Sequence, residues 1–185
     1  NAAMIKQEII EDFAVPAEKI HVIYNAIDAG KFCPPTPGQR LQLRQQHGIP
    51  QDAHCLVFVG SGFERKGLKA AIQAIAATTS HLLVVGKDKM EQHYRQLASD
   101  AGCQDRVHFA GMQPQTLDFY QLADGLLLPT LYDPFPNVIL EAMACGLPVI
   151  TSTHCVGAEF ITEGRNGFVT DALDIAAMIQ AIKQL

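Results

Sequence analysis

Residues 55–86, CLVFVGSGFERKGLKAAIQAIAATTSHLLVVG, contain two apolar runs separated by a glycine-rich turn and an amphipathic stretch. The runs Cys55–Gly60 and Leu82–Gly86 lack alternating polar residues, which is typical of strands buried on both faces of a parallel sheet. Between them, apolar residues from Leu68 to Ala76 recur at helical spacing and predict a helix. Strand, helix and strand in this order form the unit of a parallel α/β sheet.

The same alternation continues on both sides of this unit. Further apolar runs predict strands, and helical stretches lie between most of them. The predicted strands are Lys19–Tyr24, Arg106–Ala110, Gly125–Pro129, Pro148–Thr151 and Gly167–Thr170, and the predicted helices are Met90–Ala101, Gln115–Leu122, Asn137–Cys145 and Ala172–Leu185. The sequence therefore predicts an α/β fold with a doubly wound, mostly parallel, Rossmann-like sheet.

One break in composition divides the chain. Phe32–Gly38 reads FCPPTPG, and its three prolines predict a stiff linker. Residues 1–33 are interpreted as the tail of a preceding domain with one helix and one strand, residues 34–54 as linker and helix, and residues 55–185 as the sheet domain. Because the chain begins at Asn1 and not at Met, we expect it to be a fragment of a longer protein.

Composition excludes several classes of function. With 48% hydrophobic and 18% charged residues the chain is ordinary globular material, and a net charge of −5 argues against nucleic acid as a partner. No apolar run is long enough to cross a bilayer. The five cysteines form no C-x-x-C pair and the seven histidines show no metal-binding spacing, so no metal site or disulfide framework is predicted. A reducing compartment fits this cysteine usage best.

The turn Gly60-Ser61-Gly62-Phe63-Glu64-Arg65-Lys66-Gly67 is the first candidate site. Glycine lets a ligand approach the backbone closely, and amides at the start of a helix favour an anion. Arg65 and Lys66 add two cations suited to a diphosphate. The turn matches neither the P-loop nor the G-x-G-x-x-G pattern, and an ordinary glycine turn with solvated charges is the alternative.

The segment Thr130–Gly146, TLYDPFPNVILEAMACG, is the second candidate. Its prolines delay a helix until Asn137, which is predicted as the N-cap, so that the next amides point at an anion. Glu141 is the single carboxylate of this apolar helix, and burial would require a partner for it. We expect Asp133 and Glu141 to face one polar ligand. One alternative is a capping box, but Leu140 occupies the position where that motif needs Glu or Gln. The other alternative is a carboxylate favoured only by the helix dipole.

These segments resemble motifs of retaining GT-B glycosyltransferases of the family 4 type. Asp133–Ile150 resembles their acidic E-x7-E signature, with aspartate at the first position, and Gly60–Gly67 resembles their phosphate-binding R-K loop. Val22–Phe32 resembles the N-G-[IV]-D-x3-F segment that closes their N-terminal domain, with alanine in place of the usual glycine. The three motifs span essentially the whole chain. Residues 59–67 and 84–89 are most similar to glucosyltransferases of the lipopolysaccharide inner core.

The resemblance implies a role for each site residue. Arg65 and Lys66 would hold the donor diphosphate together with Gly60 and Ser61, Glu141 would bind the ribose, and Asp133 would contact the transferred sugar. Backbone around Phe135, Asn137 and Val138 would hold sugar and phosphate, and Gly111 would border uracil. Arg65, Lys66 and Asp133 are therefore the candidate catalytic residues. No metal or other cofactor is implied.

The resemblance also implies an activity. The chain would be the C-terminal donor-binding part of an enzyme that moves a sugar, with glucose favoured, from a UDP-sugar to a lipopolysaccharide core acceptor. The acceptor would bind through an N-terminal domain, so the isolated chain is expected to bind donor weakly without turnover. The parent enzyme is expected to be cytoplasmic, with peripheral inner-membrane contact left open. The alternatives are a GT-B sugar-nucleotide epimerase, a phosphorylase, or a non-catalytic nucleotide-binding module.

Overall fold

The computed structural model describes residues 2–185, and a six-stranded sheet lies at its centre. The strands are β1 (Cys55–Val59), β2 (His81–Val85), β3 (Val107–Gly111), β4 (Gly125–Leu128), β5 (Val149–Ser152) and β6 (Gly167–Thr170). All five pairings are parallel, and the order is β3-β2-β1-β4-β5-β6. This order confirms the predicted Rossmann-like α/β fold. It reverses between β1 and β4, which opens a crevice beyond their carboxyl ends.

Seven α-helices accompany the strands within residues 2–185. They are α1 (Ala3–Phe13), α2 (Pro37–Gln46), α3 (Leu68–Ala76), α4 (Glu91–Asp100), α5 (Leu117–Leu122), α6 (Asn137–Ala144) and α7 (Ile175–Gln184). Helix α3 packs against α4 and α7, and α2 packs against α5. The strands β1 and β4 are buried along their whole length, which explains why they read as uninterrupted apolar runs.

The predicted strand over Lys19–Tyr24 is wrong. Residues 17–19 form a 3₁₀ turn, and residues 20–28 are neither helix nor strand. This segment is held by side chains instead, because Lys6 Nζ donates to the Ile20 carbonyl and the Tyr24 hydroxyl donates to Glu159. An apolar run becomes a strand only where a neighbouring strand can complete its hydrogen bonds, and none of the strands described in residues 2–185 pairs with this run.

Candidate functional site

The loop Gly60–Gly67 links β1 to α3 and is fixed by its neighbours. Phe63 is fully buried, and its ring contacts those of Phe58, Tyr94 and Phe109. The Arg65 carbonyl accepts hydrogen bonds from the Leu131 amide at 2.8 Å and the Thr130 hydroxyl at 2.9 Å. The loop is therefore tied to the segment that follows β4, across the point where the strand order reverses.

Two glycines allow this close approach of backbones. A Cβ on Gly67, which has a φ of +77°, would lie 1.9 Å from the Pro129 carbonyl oxygen. A Cβ on Gly86 would lie 2.1 Å from the Gly60 carbonyl oxygen. Since neither position has room for a side chain, these glycines let the loops after β1, β2 and β4 meet at one place.

Arg65, Lys66 and Asp133 meet at that place. Lys66 Nζ donates to Asp133 Oδ2 at 2.6 Å, and Arg65 Nη1 donates to the same oxygen at 3.1 Å. The side chain of Lys66 is 9% exposed and that of Asp133 is 7% exposed, whereas Arg65 is 51% exposed. The Lys66 stem lies over Gly60, where an added Cβ would come within 3.1 Å of Lys66 Cε. Two cations and one carboxylate thus converge beyond β1 and β4.

The start of α6 differs from the prediction for Asn137. Pro136 is the N-cap and Asn137 is the first helical residue, so the expectation of an Asn137 cap is wrong. The Asn137 side chain instead accepts a hydrogen bond from Asn25 Nδ2 at 2.9 Å, and the Ile139 amide donates to the Pro136 carbonyl. Asn137 and Val138 still begin the helix, where amides lack intrahelical acceptors and favour an anion.

Glu141 has the partner that its position required. The Tyr120 hydroxyl donates to Glu141 Oε2 at 2.7 Å. Burial of Tyr120, reinforced by the neighbouring Glu141 carboxylate, raises the pKa of this tyrosine far above its usual range, so it remains a donor. The carboxylates of Asp133 and Glu141 bond to different protein groups, and that they face one ligand stays a prediction.

The remaining predicted residues lie around this centre. Ser61 is exposed beside Gly60, whose amide donates to the Val85 carbonyl. Gly111 ends β3, and its carbonyl accepts from the Gly86 amide. The Phe135 ring contacts the rings of Tyr24 and Phe160, and its backbone is the candidate contact with a ligand.

Asp88 holds the loop from the β2 side and was not predicted. Asp88 Oδ2 accepts from the Phe63 amide and Oδ1 from the Met90 amide, both at 2.8 Å. These hydrogen bonds lower the pKa of Asp88, and the one from the Met90 amide has the largest effect. An acidic residue two positions beyond a strand end was a usable signal in the sequence. Tyr120 gave no such signal, since its contact with Glu141 joins two helices.

A cavity of about 780 Å³ lies on the α3–α4 side of the loop. Its lining includes Gly62, Arg65, Asp88 and Tyr94. It does not include Lys66, Asp133 or Glu141, so Arg65 is the member of the ion pairs that borders the cavity. The convergence of charge, and not the size of the cavity, marks the candidate site.

Residues 2–185 contain neither a metal-binding cluster nor a membrane-spanning helix. Groups of three or more His, Cys, Asp or Glu side chains placed to hold a metal ion are absent from this part of the chain. None of the described helices has the length and apolar character needed to cross a membrane. All five cysteines are free thiols.

Residues 39–185 match the family described as "Glycosyl transferases group 1". The match covers most of the chain. The chain therefore belongs to the group 1 glycosyl transferases. The solved structures that this chain resembles are GT-B glycosyltransferases, which is consistent with the sheet order described above.

Three similar proteins show what the family contains. The lipopolysaccharide core biosynthesis glycosyltransferase LpsE of Rhizobium meliloti is 35% identical over 144 residues, covering 77% of this chain and 42% of LpsE. The lipopolysaccharide glucosyltransferase WaaG of Escherichia coli is 34% identical over 145 residues, covering 75% of this chain and 38% of WaaG. Anabaena HepE, solved in complex with UDP-glucose, has a TM-score of 0.88 at 26% identity, covering 99% of this chain and 52% of that chain. The chain thus spans about half or less of each.

Proposed function

We propose that this chain is the donor-binding part of a retaining glycosyltransferase of the family 4 type. The donor is a UDP-sugar, with UDP-glucose favoured, and the acceptor is the core of lipopolysaccharide. The observation that carries the proposal is the convergence of Lys66 Nζ and Arg65 Nη1 on one point, 2.6 and 3.1 Å from Asp133 Oδ2. The names of LpsE and WaaG and the ligand of HepE support the choice of donor and acceptor.

The chemistry requires positive charge at that point. Expelling UDP from an anomeric carbon builds negative charge on the diphosphate, and preorganised cations and amides stabilise it in the transition state. Arg65 and Lys66 would supply the cations, and the amides of Asn137 and Val138 would supply the positive end of α6. No metal ion is needed for this scheme, so transfer should persist in excess EDTA.

Glu141 would recognise the nucleoside. Its Oε1 is available beside the Oε2 that accepts from Tyr120, and a carboxylate can accept hydrogen bonds from both ribose hydroxyls. Backbone near Phe135 would contact the sugar, and Gly60, Ser61 and Gly111 would border the phosphate and the base. Residues that bind the acceptor would come from an N-terminal domain, so we expect the isolated chain to bind donor weakly and not to turn over.

Calorimetry on the isolated chain tests the donor. UDP-glucose, UDP-galactose, UDP-N-acetylglucosamine and GDP-mannose are titrated in parallel. We expect the three uridine nucleotides to bind and GDP-mannose not to bind, with UDP-glucose the tightest. Binding of GDP-mannose alone would contradict the proposed donor. Efficient sugar transfer by the isolated chain would contradict the proposal that the acceptor binds through an N-terminal domain.

A substitution at Glu141 separates an enzyme from a nucleotide-binding module without catalytic use. We expect Glu141→Ala to weaken UDP-glucose binding, measured by calorimetry. It should also lower the free energy of unfolding by about 1–3 kcal/mol, because the buried Tyr120 hydroxyl loses its acceptor. The module is favoured if stability falls and donor affinity is unchanged. An assay of the full-length enzyme with and without acceptor separates transfer from epimerase activity, and inorganic phosphate as acceptor tests for a phosphorylase.

A further inference from the structure

Asp133 places its carboxylate among cations. Its side chain is 7% exposed, and Oδ2 accepts from both Lys66 and Arg65. Its main chain is fixed as well, because its amide donates to the His154 carbonyl and its carbonyl accepts from the Val156 amide. The negative charge of Asp133 is therefore directed at the two cations of the site.

The reach of this side chain sets a limit on what else it can contact. Aspartate is one methylene shorter than the glutamate that the resemblance leads one to expect at this position. Moving the carboxylate toward a sugar hydroxyl would strain its 2.6 Å contact with Lys66, whose side chain is 9% exposed. Separating a buried ion pair leaves an uncompensated charge inside the protein and is costly. The pairing with Lys66 is thus favoured over a sugar contact.

We propose that Asp133 is a positioning residue that acts as an internal counter-ion of Arg65 and Lys66. It holds both cations at the site and competes with the donor diphosphate for them, and it does not bind the transferred sugar. This inference rests on the proposed function, because it takes a nucleotide diphosphate as the ligand. It predicts that neutralising Asp133 strengthens binding of the nucleotide, since like charges at one place repel.

Other roles for Asp133 predict different results. A residue that contacts the sugar would, when substituted, weaken UDP-glucose relative to UDP. A residue with only a structural role would, when substituted, weaken both nucleotides together with stability. Tighter binding of both nucleotides with an unchanged ratio is expected only of a competing counter-ion.

The test is calorimetry with UDP and UDP-glucose on the wild-type chain, Asp133→Asn and Asp133→Glu. Asp105→Asn is the control, because Asp105 is exposed and the change in net charge is the same. We expect Asp133→Asn to bind both nucleotides about tenfold more tightly, equivalent to ~1.4 kcal/mol, with their ratio unchanged. Asp133→Glu keeps the charge and should bind UDP as the wild type does, as should Asp105→Asn.

Three results would overturn the inference: unchanged or weaker binding of both nucleotides by Asp133→Asn, a loss of UDP-glucose affinity relative to UDP in Asp133→Asn, or tighter UDP binding in Asp133→Glu as well. A wild-type chain that binds neither nucleotide would instead refute the proposed function itself. Should Asp133→Asn fail to fold, the ¹³C carboxyl resonance of Asp133 in the wild type gives a second readout. It should move on addition of UDP and move equally with UDP-glucose; movement with UDP-glucose alone overturns the inference.

Discussion

Two aspartates near opposite ends of β4 each contact two cations, and they differ in what surrounds those cations. Asp124 precedes β4 and pairs with Arg40 and Arg44, while Asp133 lies beyond the carboxyl end of the strand. The two clusters have similar composition. Their hydrogen bonding is different, and that difference distinguishes a structural cluster from a candidate binding site.

The buried cation of the Asp124 cluster, Arg44, is hydrogen-bonded to the protein at every guanidinium nitrogen. Every nitrogen of the Arg44 guanidinium has an acceptor: Nε donates to the Leu122 carbonyl, Nη2 to Asp124 Oδ2 at 2.6 Å, and Nη1 to the carbonyls of residues 50, 51 and 53. Asp124 Oδ2 also accepts from the Cys55 amide. The Arg44 side chain is 4% exposed, so it is not accessible to a ligand, and this cluster fixes the start of β1 and β4.

The Asp133 cluster is not saturated. Among residues 2–185, Lys66 Nζ donates to Asp133 alone, although an ammonium group carries three donors. Arg65 Nη1 donates to Asp133 and the Tyr132 carbonyl, and half of the side chain is exposed. Spare donors beside glycine backbone are what an anionic ligand requires, and we therefore propose that such a ligand binds at this end of the sheet.

The largest effect on stability is expected from Arg44→Met. Removing the guanidinium leaves Asp124 with only Arg40 and the Cys55 amide, and takes a donor from the carbonyls of residues 50, 51, 53 and 122. This should lower the free energy of unfolding by about 3–5 kcal/mol. Urea denaturation measures this loss. Arg165→Met, at an exposed position, should change it by less than about 0.5 kcal/mol. If the folded fraction of Arg44→Met binds UDP more weakly, the two clusters are not independent and the comparison fails.

Arg65→Ala and Lys66→Ala should act on turnover. In the full-length enzyme each should lower kcat by about 10²–10³, or ~3–4 kcal/mol, because each removes charge that stabilises the departing UDP. Steady-state kinetics with saturating UDP-glucose measures the effect, and the exposed Lys183→Ala serves as the control. Unchanged kinetics in both variants would remove the assignment of these cations.

Asp88→Asn should loosen the loop that carries the cations. Asp88 accepts hydrogen bonds from two backbone amides, one at each carboxylate oxygen. The asparagine side chain has only one oxygen, so one of these hydrogen bonds is lost, at a cost of about 1–3 kcal/mol. We expect UDP affinity, measured by calorimetry, to fall about tenfold, or ~1.4 kcal/mol.

Asp171→Asn is the matched control for Asp88→Asn. Asp171 accepts from the amide two residues later, as Asp88 does, but outside this loop. An equal loss of UDP affinity in both variants would show that the effect of Asp88→Asn is not specific to the loop.

The smallest effect is a pH dependence of stability that arises at the other end of the sheet. The rings of His81 and His108 are nearly coplanar and joined end-on through His81 Nδ1 and His108 Nε2 at 2.9 Å. Burial, with nearby Arg106, lowers the pKa of His81 below its usual 6.5, and burial with His81 lowers that of His108. The unfolded chain then binds more protons, so stability should fall as pH drops below about 6.5 and level off below the folded values.

Urea denaturation from pH 8 to pH 5 measures this dependence. We expect His108→Gln to make the profile flatter, since it removes one of the two shifted groups. His21→Gln, at an exposed position, should leave the profile unchanged. UDP affinity is measured over the same pH range. If it shows the same pH dependence as stability, and His108→Gln makes that dependence weaker, the two ends of the sheet are coupled and do not act independently.

Most of the fold could be predicted from the sequence, within about one residue at strand ends. Cys55–Val59 and Leu68–Ala76 follow from local apolar patterns alone. Lys19–Tyr24 has a similar pattern without forming a strand, because no neighbouring strand pairs with it. Asparagine is a favoured N-cap residue, yet Pro136 occupies that position and the Asn137 side chain accepts a hydrogen bond from Asn25. Long-range contacts decided both cases.

The candidate site could be predicted in part. Arg65 and Lys66 stand out because two adjacent cations follow glycines at a strand end, and Asp133 stands out at the start of a second such loop. Their meeting at one oxygen depends on the crossover from β1 to β4, which the sequence pattern does not specify. Asp88 and Tyr120 acquire their roles from contacts that span 25 and 21 residues.

The sequence by itself determined the alternating strands and helices and the loops in which polar residues follow them. Patterns of burial are local, since each residue's hydropathy and spacing specify its own side of a helix or strand. Only the tertiary structure decided which of these polar residues meet and which are satisfied by the protein. Saturation of Arg44 and the spare donors of Lys66 depend on acceptors brought from distant segments, and short-range pattern carries no information about them.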